Sequence, residues 1–350
     1  MKKTILFYNQ SIFEIPLNNI ILKKFKKLSV NFDIWIFAQN KDRFFLKFNN
    51  IASFFLLKRF NNFFLRHFFF ILLSFFYLPL IIKKNKIKNI VFQSGYDFLV
   101  ILLIKIMFRN KINIILEFHG DMFSGMKHYN SFFIKNYIAY LFVKLSEKIA
   151  DKKRAVSQIA LKNADIIFPP YMDLEYFVRP ISIKREKIIF FAGMLEKIKN
   201  IDYLITEFYK FQSEFPDYTL NIAGTGSELK NIENMVKKLN ISHKVNFLGV
   251  LKRESLKYEY YRSEIFVLPS LSEGFGRVAC EASVCGCKVL VSENCGVKTY
   301  FNHNNIFNKT GLYQKIVDNI KDTNNIENKK IYSLLGDTEF FEGMKLIAVE

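Results

Sequence analysis

Two carboxylates, a lysine and several glycines stand where a phosphorylated, hydroxyl-rich ligand could be handled. Pro269 to Val289 reads Pro-Ser-Leu-Ser-Glu-Gly-Phe-Gly-Arg-Val-Ala-Cys-Glu-Ala-Ser-Val-Cys-Gly-Cys-Lys-Val. Glu273 precedes Gly274-Phe275-Gly276, and Glu281 follows with seven residues between the two acids. Glycines let a backbone approach an anion with no Cβ in the way. Arg277 to Cys285 tolerates helix, and Gly286 stands where a helix stops. A helix opening after Gly276 would aim unpaired N–H groups and the positive end of its dipole at an anion such as phosphate. Two acids beside that anion would repel it unless they bind something else, and sugar hydroxyls suit them. The plainer reading is a strand-to-helix turn with one capping and one solvated glutamate.

Strand ends must hold these groups. Ile265 to Leu268 is an apolar β-type run just before the turn. Lys187 to Ala192 is another, followed by Gly193-Met194-Leu195-Glu196-Lys197-Ile198-Lys199-Asn200 and a helix over Ile201 to Phe215. Strands at Thr219 to Ala223 and Val245 to Gly249, a Gly224-Thr225-Gly226 turn, a helix over Leu256 to Arg262 and another over Leu312 to Asp322 continue the alternation. The first half repeats it. Strands are expected at Ile5 to Asn9, Phe32 to Phe37, Asn89 to Gln93, Ile112 to Phe118 and Ile166 to Tyr171. Helices are expected within Ile12 to Leu28 and over Tyr96 to Phe108 and Ser131 to Ala150. Strand–helix–strand alternation implies parallel sheets with right-handed crossovers. Ligands of such sheets bind at the carboxyl ends of the strands. His119-Gly120-Asp121 directly follows one of them, which makes His119, and more weakly Asp121, a candidate.

The chain has 350 residues, enough for two domains, with 40 Phe and a formal net charge of +19. Apolar and basic character together point to an anionic partner: nucleic acid, a membrane surface or a phosphorylated substrate. No RNA-binding or helix-turn-helix signature accompanies the charge. Cys280, Cys285, Cys287 and Cys295 fall in one short region with no neighbouring His, so they read as small buried residues in a reducing compartment rather than as zinc ligands. The opening apolar run reads as a first strand rather than a signal peptide. From Phe54 to His67, Lys58, Asn62 and Arg66 recur every fourth position, the mark of one face of an amphipathic helix. The apolar run Phe68 to Leu78 is then interrupted by Pro79, and Lys83, Lys84, Lys86 and Lys88 follow. Two readings of Ser53 to Leu80 stand open: a helix buried against the first sheet, or a monotopic helix lying in an anionic leaflet. On the second, removing the charges of Lys83, Lys84 and Lys86 lowers binding to anionic liposomes.

The Glu273 to Glu281 stretch resembles the Glu-x7-Glu signature of retaining glycosyltransferases of family 4. These have the GT-B fold: two Rossmann-like α/β domains facing across a cleft. The resemblance runs from about Asn89 to Gly296. It implies that the turn residues Gly274, Phe275, Gly276 and Arg277, with the helix N-terminus, hold the diphosphate of a sugar nucleotide. Glu281 then binds the ribose, and Glu273 and His119 lie against the donor sugar. Gly193 and Lys199 match the family's Gly-Arg-Leu-x3-Lys pattern, the lysine binding diphosphate. Met194 replaces the arginine, so Lys197 or Arg277 substitutes, leaving-group stabilisation is weaker, or the chain is degenerate. The loop Asn9-Gln10-Ser11-Ile12 lacks the family's glycines, and Asp173 and Phe177 keep the end of its first domain. The implied domains are 1–178 on the acceptor side, a linker 179–186, a nucleotide-sugar domain 187–335 and a tail 336–350 that could pack back on the first.

The implied activity is metal-independent, retaining transfer of a hexosyl or N-acetylhexosaminyl group. It runs from a nucleoside-diphosphate sugar, as co-substrate rather than cofactor, to a hydroxyl of a lipid-linked or cell-envelope glycan. No Asp-x-Asp cluster stands beside a strand end to hold a metal. The expected place is cytoplasmic, peripheral on the inner leaflet, with no nucleic-acid partner. A non-catalytic nucleotide-sugar-binding protein and a GT-B epimerase are the alternatives.

Overall fold

Short apolar runs become strands here because neighbours on both sides bury them, and they assemble into two parallel sheets. The computed structural model describes residues 2–12, 19–40, 45–48, 51–58, 61–93, 95–121, 133–178, 183–321, 331, 335 and 337–348. The chain divides into two units. One comprises Met1–His119, Asn130–Tyr171 and Thr338–Glu350, the other Gly120–Tyr129 and Met172–Asp337.

The first unit holds strands β1 (Lys3–Ile12), β2 (Phe32–Asn40), β3 (Phe45–Phe48), β4 (Ser53–Lys58), β5 (Asn89–Phe92), β6 (Asn113–Phe118), β7 (Lys152–Ala155) and β8 (Ile166–Ile167). Their order is β3-β4-β2-β1-β5-β6-β7-β8, and only the β3–β4 pairing is antiparallel. Leu6, Ile90 and Ile114 lie in register across β1, β5 and β6, all fully buried or nearly so. Among the described residues five helices cover the sheet: α1 (Asn19–Leu28), α2 (Phe63–Lys84), α3 (Phe98–Phe108), α4 (Phe133–Ile149) and α10 (Asp337–Ile347). Phe25 and Leu28 of α1 and Phe340 and Met344 of α10 share one core with Ile5, Phe7, Ile34 and Ile36. On the other face Phe70 of α2 packs on Tyr8 and Phe37. Helices α2, α3 and α4 lie side by side there.

The amphipathic-helix expectation for the start of Ser53 to Leu80 is corrected. Ser53–Lys58 is a strand that pairs parallel with β2 and antiparallel with β3. The every-fourth polar pattern lost to sheet pairing, which buries Phe54, Leu56 and Leu57 and suits a Phe-rich run. Pro79 does not interrupt the helix; α2 continues through it to Lys84. Helix α2 is long and apolar enough to cross a membrane by length and composition, yet Phe70, Ser74, Leu78 and Ile82 are buried against this sheet. One face of α2 is therefore core and another is exposed. Strand β1 runs through Ile12 and α1 begins at Asn19, with 13–18 outside the described residues. The strand expected over Ile166 to Tyr171 shortens to two residues because Pro169 and Pro170 offer no N–H to a ladder.

The second unit holds β9 (Glu186–Ala192), β10 (Thr219–Ala223), β11 (Val245–Gly249), β12 (Ser263–Leu268), β13 (Lys288–Ser292) and β14 (Ile306–Phe307), in the order β11-β10-β9-β12-β13-β14. All pairings are parallel. Helix α5 (Ile201–Glu214) packs with α6 (Leu229–Lys238) and α9 (Leu312–Lys321), and α7 (Arg253–Arg262) packs with α8 (Arg277–Val284). This is the doubly wound order, and its direction reverses between β9 and β12. Both units are therefore parallel-sheet α/β domains.

Candidate active site

The strand order reverses between β9 and β12, and ligands of such sheets bind outside the carboxyl ends of the strands at that point. Lys199 and Glu273 come from the loops that follow these two strands. After β9 the chain passes Gly193 and Met194 into a tight 3-10 turn, Lys197–Lys199, closed by Asn200 at φ +57°. Asparagine tolerates that left-handed conformation better than most residues. Its side chain also donates to the Pro269 carbonyl at 3.2 Å, and Leu271 N–H donates to Ile198 O at 2.8 Å. These bonds tie the loops together and set the Lys199 ammonium against the Glu273 carboxylate as an ion pair. Both side chains are largely but not wholly buried, at 16% and 20% exposure.

Glu273 is fixed from behind by the loop after β13. Its N–H donates to Asn294 O at 3.0 Å, and its carbonyl accepts from Gly296 N–H at 2.9 Å. Phe275 O accepts from Val297 N–H at 2.7 Å. Gly276 then turns into α8 at φ +101°. A Cβ there would lie 3.0 Å from Leu268 Cδ2 and 3.2 Å from Val297 Cγ1, so the turn requires glycine. Glycine has no side chain to cap the first turn of α8. One turn into α8, Glu281 accepts from the Tyr260 hydroxyl at 3.4 Å. Burial pushes its carboxyl up to about 7, against the pull of Arg277 and Arg253. Arg277 itself is exposed, as are Lys197 and Met194.

Gly224 and Gly226 serve the packing of this site from below. A Cβ on Gly224, at φ +138°, would sit 1.8 Å from Gly193 O, and one on Gly226 2.3 Å from Leu195 O. Gly193 N–H donates to Ala223 O at 3.0 Å and Leu195 N–H to Thr225 O at 2.9 Å. The β9 loop is thus clamped against the β10 loop by backbone alone. All four cysteines of this unit are buried thiols, and burial raises Cys285 beyond its ordinary range.

His119 lies in the first unit, half exposed, directly after β6. Its Nε2 is 3.0 Å from Oε2 of Glu117. The other Glu117 oxygen accepts from Arg154 Nη1, and Arg154 Nη2 donates to the carbonyls of Phe168 and Pro169 at 3.0 Å each. Burial alone would raise Glu117, but Arg154, then His119, hold its carboxyl well below the usual range. Asp121 is partly exposed at the end of the same described stretch. Of the resemblance-derived set, Gly193, Lys199, Glu273 to Arg277 and Glu281 lie in the second unit and His119 in the first.

Sequence reasoning missed three groups. Glu117 and Arg154 are a charged pair inside two buried strands; an acid in the run Asn-Ile-Ile-Leu-Glu-Phe was the available signal. Arg253 pairs with Asp173 at 2.9 Å and stacks 3.8 Å from the Tyr176 ring centre, which anchors the Asp173 to Phe177 segment onto α7. At the first unit's own strand-order reversal, between β1 and β5, Gln10 bridges His67 and Asp97. Its amide nitrogen donates to Asp97, so its carbonyl oxygen faces His67 Nδ1.

Residues 175–330 match the family model described as glycosyl transferases group 1. An uncharacterized glycosyltransferase of Methanocaldococcus jannaschii is 37% identical over 145 residues, which is 41% of this chain and 36% of that relative. The chain thus matches about a third of that relative's length. Sucrose-phosphate synthase from Thermosynechococcus elongatus superposes with a TM-score of 0.76 at 15% identity, over 99% of this chain and 98% of that one. Anabaena HepE in complex with UDP and glucose does so at 0.69 and 15% identity, over 98% of each chain. The domain matched at residues 175–330 and these likenesses support a glycosyltransferase of the GT-B type.

Proposed function

We propose that the protein is a retaining glycosyltransferase of family 4. It moves a sugar from a nucleoside-diphosphate donor to a hydroxyl of a lipid-linked or cell-envelope glycan. The observation that carries this is the Lys199–Glu273 pair set beside the uncapped start of α8. In the free protein Lys199 neutralises Glu273, so the crevice does not repel a diphosphate. When the donor enters, Lys199 and the α8 N-terminus take the phosphate charge that grows as the glycosidic bond breaks. Glu273 is left to the donor sugar and Glu281 to the ribose hydroxyls. A Glu281 carboxyl near neutrality adds little repulsion and can both donate and accept. His119 keeps the sugar-side role the resemblance gives it. The activity needs no metal on this reading, since the cation and the helix supply the counter-charge. We place the protein on the cytoplasmic face of a membrane, where a lipid-linked acceptor is presented.

The UDP bound by HepE makes UDP-sugars the first donors to test. Thermal shift with UDP-, GDP- and ADP-sugars on wild type and Glu281→Ala decides. A donor at about 100 times its dissociation constant adds about 2.7 kcal/mol. One nucleotide family should raise the melting temperature of wild type far more than that of the variant. No shift with any donor would overturn the reading. Exposed Met194 favours the second reading, a non-catalytic binder; a clear shift with no sugar turnover would select it.

A further inference from the structure

At the amino-terminal edge of the first sheet lies a cavity of about 520 Å³, far along the strands from their carboxyl ends. It sits where β5 and β6 begin and where α2 and α3 end, and Asp151 before β7 closes it. Lys83, Lys86, Lys88 and Lys111 line it. Among the described residues no carboxylate meets any of their four ammonium groups. Asp151, the one acid in the lining, is already paired with Lys105 at 2.5 Å and accepts from Ile114 N–H at 2.7 Å. Asn113 is committed too, to Asn89 and the Ile347 carbonyl at 2.9 Å each. The carboxyl ends of two helices contribute roughly half a negative charge apiece. Four lysines exceed that, so the cavity is net positive and unpaired.

The same two helices carry a second property. Phe76 and Leu80 of α2, Ile106 and Met107 of α3 and Tyr137 of α4 are each more than half exposed. They lie on the outer side of three helices that pack side by side. Lys83, which lines the cavity, follows Leu80 by three residues on α2, so the two are neighbours on one helix face, and Phe108 at the end of α3 lines the cavity too. Apolar surface therefore runs up to a lysine-lined hollow. A soluble phosphate would use only the hollow, and a nucleic acid could stack on Phe76 or Tyr137 but would leave the exposed aliphatic Leu80, Ile106 and Met107 unused. An amphiphile with an anionic head uses both.

We propose that this cavity is a binding site for the phosphate head of an anionic phospholipid, whose acyl chains lie along α2 and α3. The site rests on the membrane placement proposed above and gives it a defined contact. It seats the enzyme by the helix face and the amino-terminal edge of its first sheet. The carboxyl ends of the strands stay clear of the lipid contact.

The test uses the full chain and vesicles of phosphatidylcholine, with or without phosphatidylglycerol. Each lysine near an anionic surface contributes about fivefold in partitioning. Joint replacement Lys83→Gln, Lys86→Gln, Lys88→Gln and Lys111→Gln should lower binding to the anionic vesicles by about 100-fold or more. The matched set Lys230→Gln, Lys237→Gln, Lys238→Gln and Lys309→Gln, in the other unit, should change it less than about tenfold. Phe76→Ser with Leu80→Ser should lower binding to both kinds of vesicle. Equal losses from the two lysine sets, or no loss from the first, would overturn the site. Inorganic phosphate raising the melting temperature of wild type but not of the first set, without vesicle binding, would assign the cavity to a soluble anion and overturn the lipid. The UDP-sugar shift is measured on the same preparations. If it persists while vesicle binding fails, this inference alone is lost.

Discussion

Each unit desolvates a glutamate beside its sheet, and the two meet opposite fates. Glu117 of the first unit touches Arg154 and His119 and is held well below the usual carboxylate range. Glu281 of the second unit has two arginines within electrostatic reach and no ion pair among the described residues; burial wins and its carboxyl rises to about 7. The difference is one of contact. A buried charge is kept when a partner meets it directly and is surrendered when partners stand off. Glu117 thereby stabilises its own sheet, joining β6 to β7 and to the Phe168 and Pro169 carbonyls. Glu281 keeps only the Tyr260 hydroxyl at 3.4 Å and no ion pair among the described residues, which suits the ribose role proposed for it.

The largest break of that comparison is Arg154→Met. It strands Glu117 in a site only 4% exposed. Loss of one partner of a buried pair costs about 3–5 kcal/mol, so urea unfolding should shift by that amount. Glu117→Gln added to Arg154→Met should recover part of it. No loss from Arg154→Met would show that His119 alone can carry the glutamate.

Glu281→Gln comes next, and its sign follows from the raised carboxyl. Below the ordinary carboxylate value of about 4.5, Glu281 is protonated whether folded or unfolded. As pH rises toward about 7, the unfolded chain releases this proton while the fold retains it. Stability is therefore lost as pH rises through that window and is flat above it, by about 3 kcal/mol at most. The glutamine variant lacks that loss. Its stability advantage over wild type should grow between pH 5 and pH 8, while its donor-induced shift shrinks. Glu117 must behave oppositely: its contribution is present at neutral pH and is lost on acidification through the acid range. A constant gap between wild type and Glu281→Gln across that range would mean Glu281 is already ionised at neutral pH.

The second unit was the more legible one, for a physical reason. Lys199 and Glu273 are 74 residues apart, but each sits just beyond a strand end inside a consecutive run of strand, loop and helix that can be read locally. The first unit's pairs stand in no such local motif. Glu117 and Arg154 are 37 residues apart, and Gln10 and Asp97 are 87 apart. No local pattern announces such pairs. The same holds for Ser53–Lys58, drawn into a helical reading by the spacing of Lys58, Asn62 and Arg66 while β2 and β3 supplied its partners. The roles of Gly224 and Gly226 were also hidden. Their spacing read only as a turn between a strand and a helix, whereas their missing Cβ atoms make room for Gly193 O and Leu195 O.

The finest contrast lies inside the second unit, between Lys199, which has a carboxylate partner, and exposed Met194, where the resembled family carries arginine. Met194→Arg would place a cation on the loop after β9. A charged hydrogen bond to phosphate is worth about 1.5–3 kcal/mol when shielded, but exposure and salt reduce an open one to about 1 kcal/mol. The expected gain in donor affinity is therefore about fivefold and shrinks at high salt. Arg277 is the residue to cross it with, since it is exposed at the first position of α8 beside the same loops. If Arg277 already serves in place of the missing arginine, Arg277→Ala should lose about fivefold in wild type and less in Met194→Arg, because the two cations then share one phosphate. Titration of donor into the four proteins of this cycle measures the coupling directly. Additive effects would mean that the two positions meet different charges, and that the crevice works with Lys199 and the helix start alone.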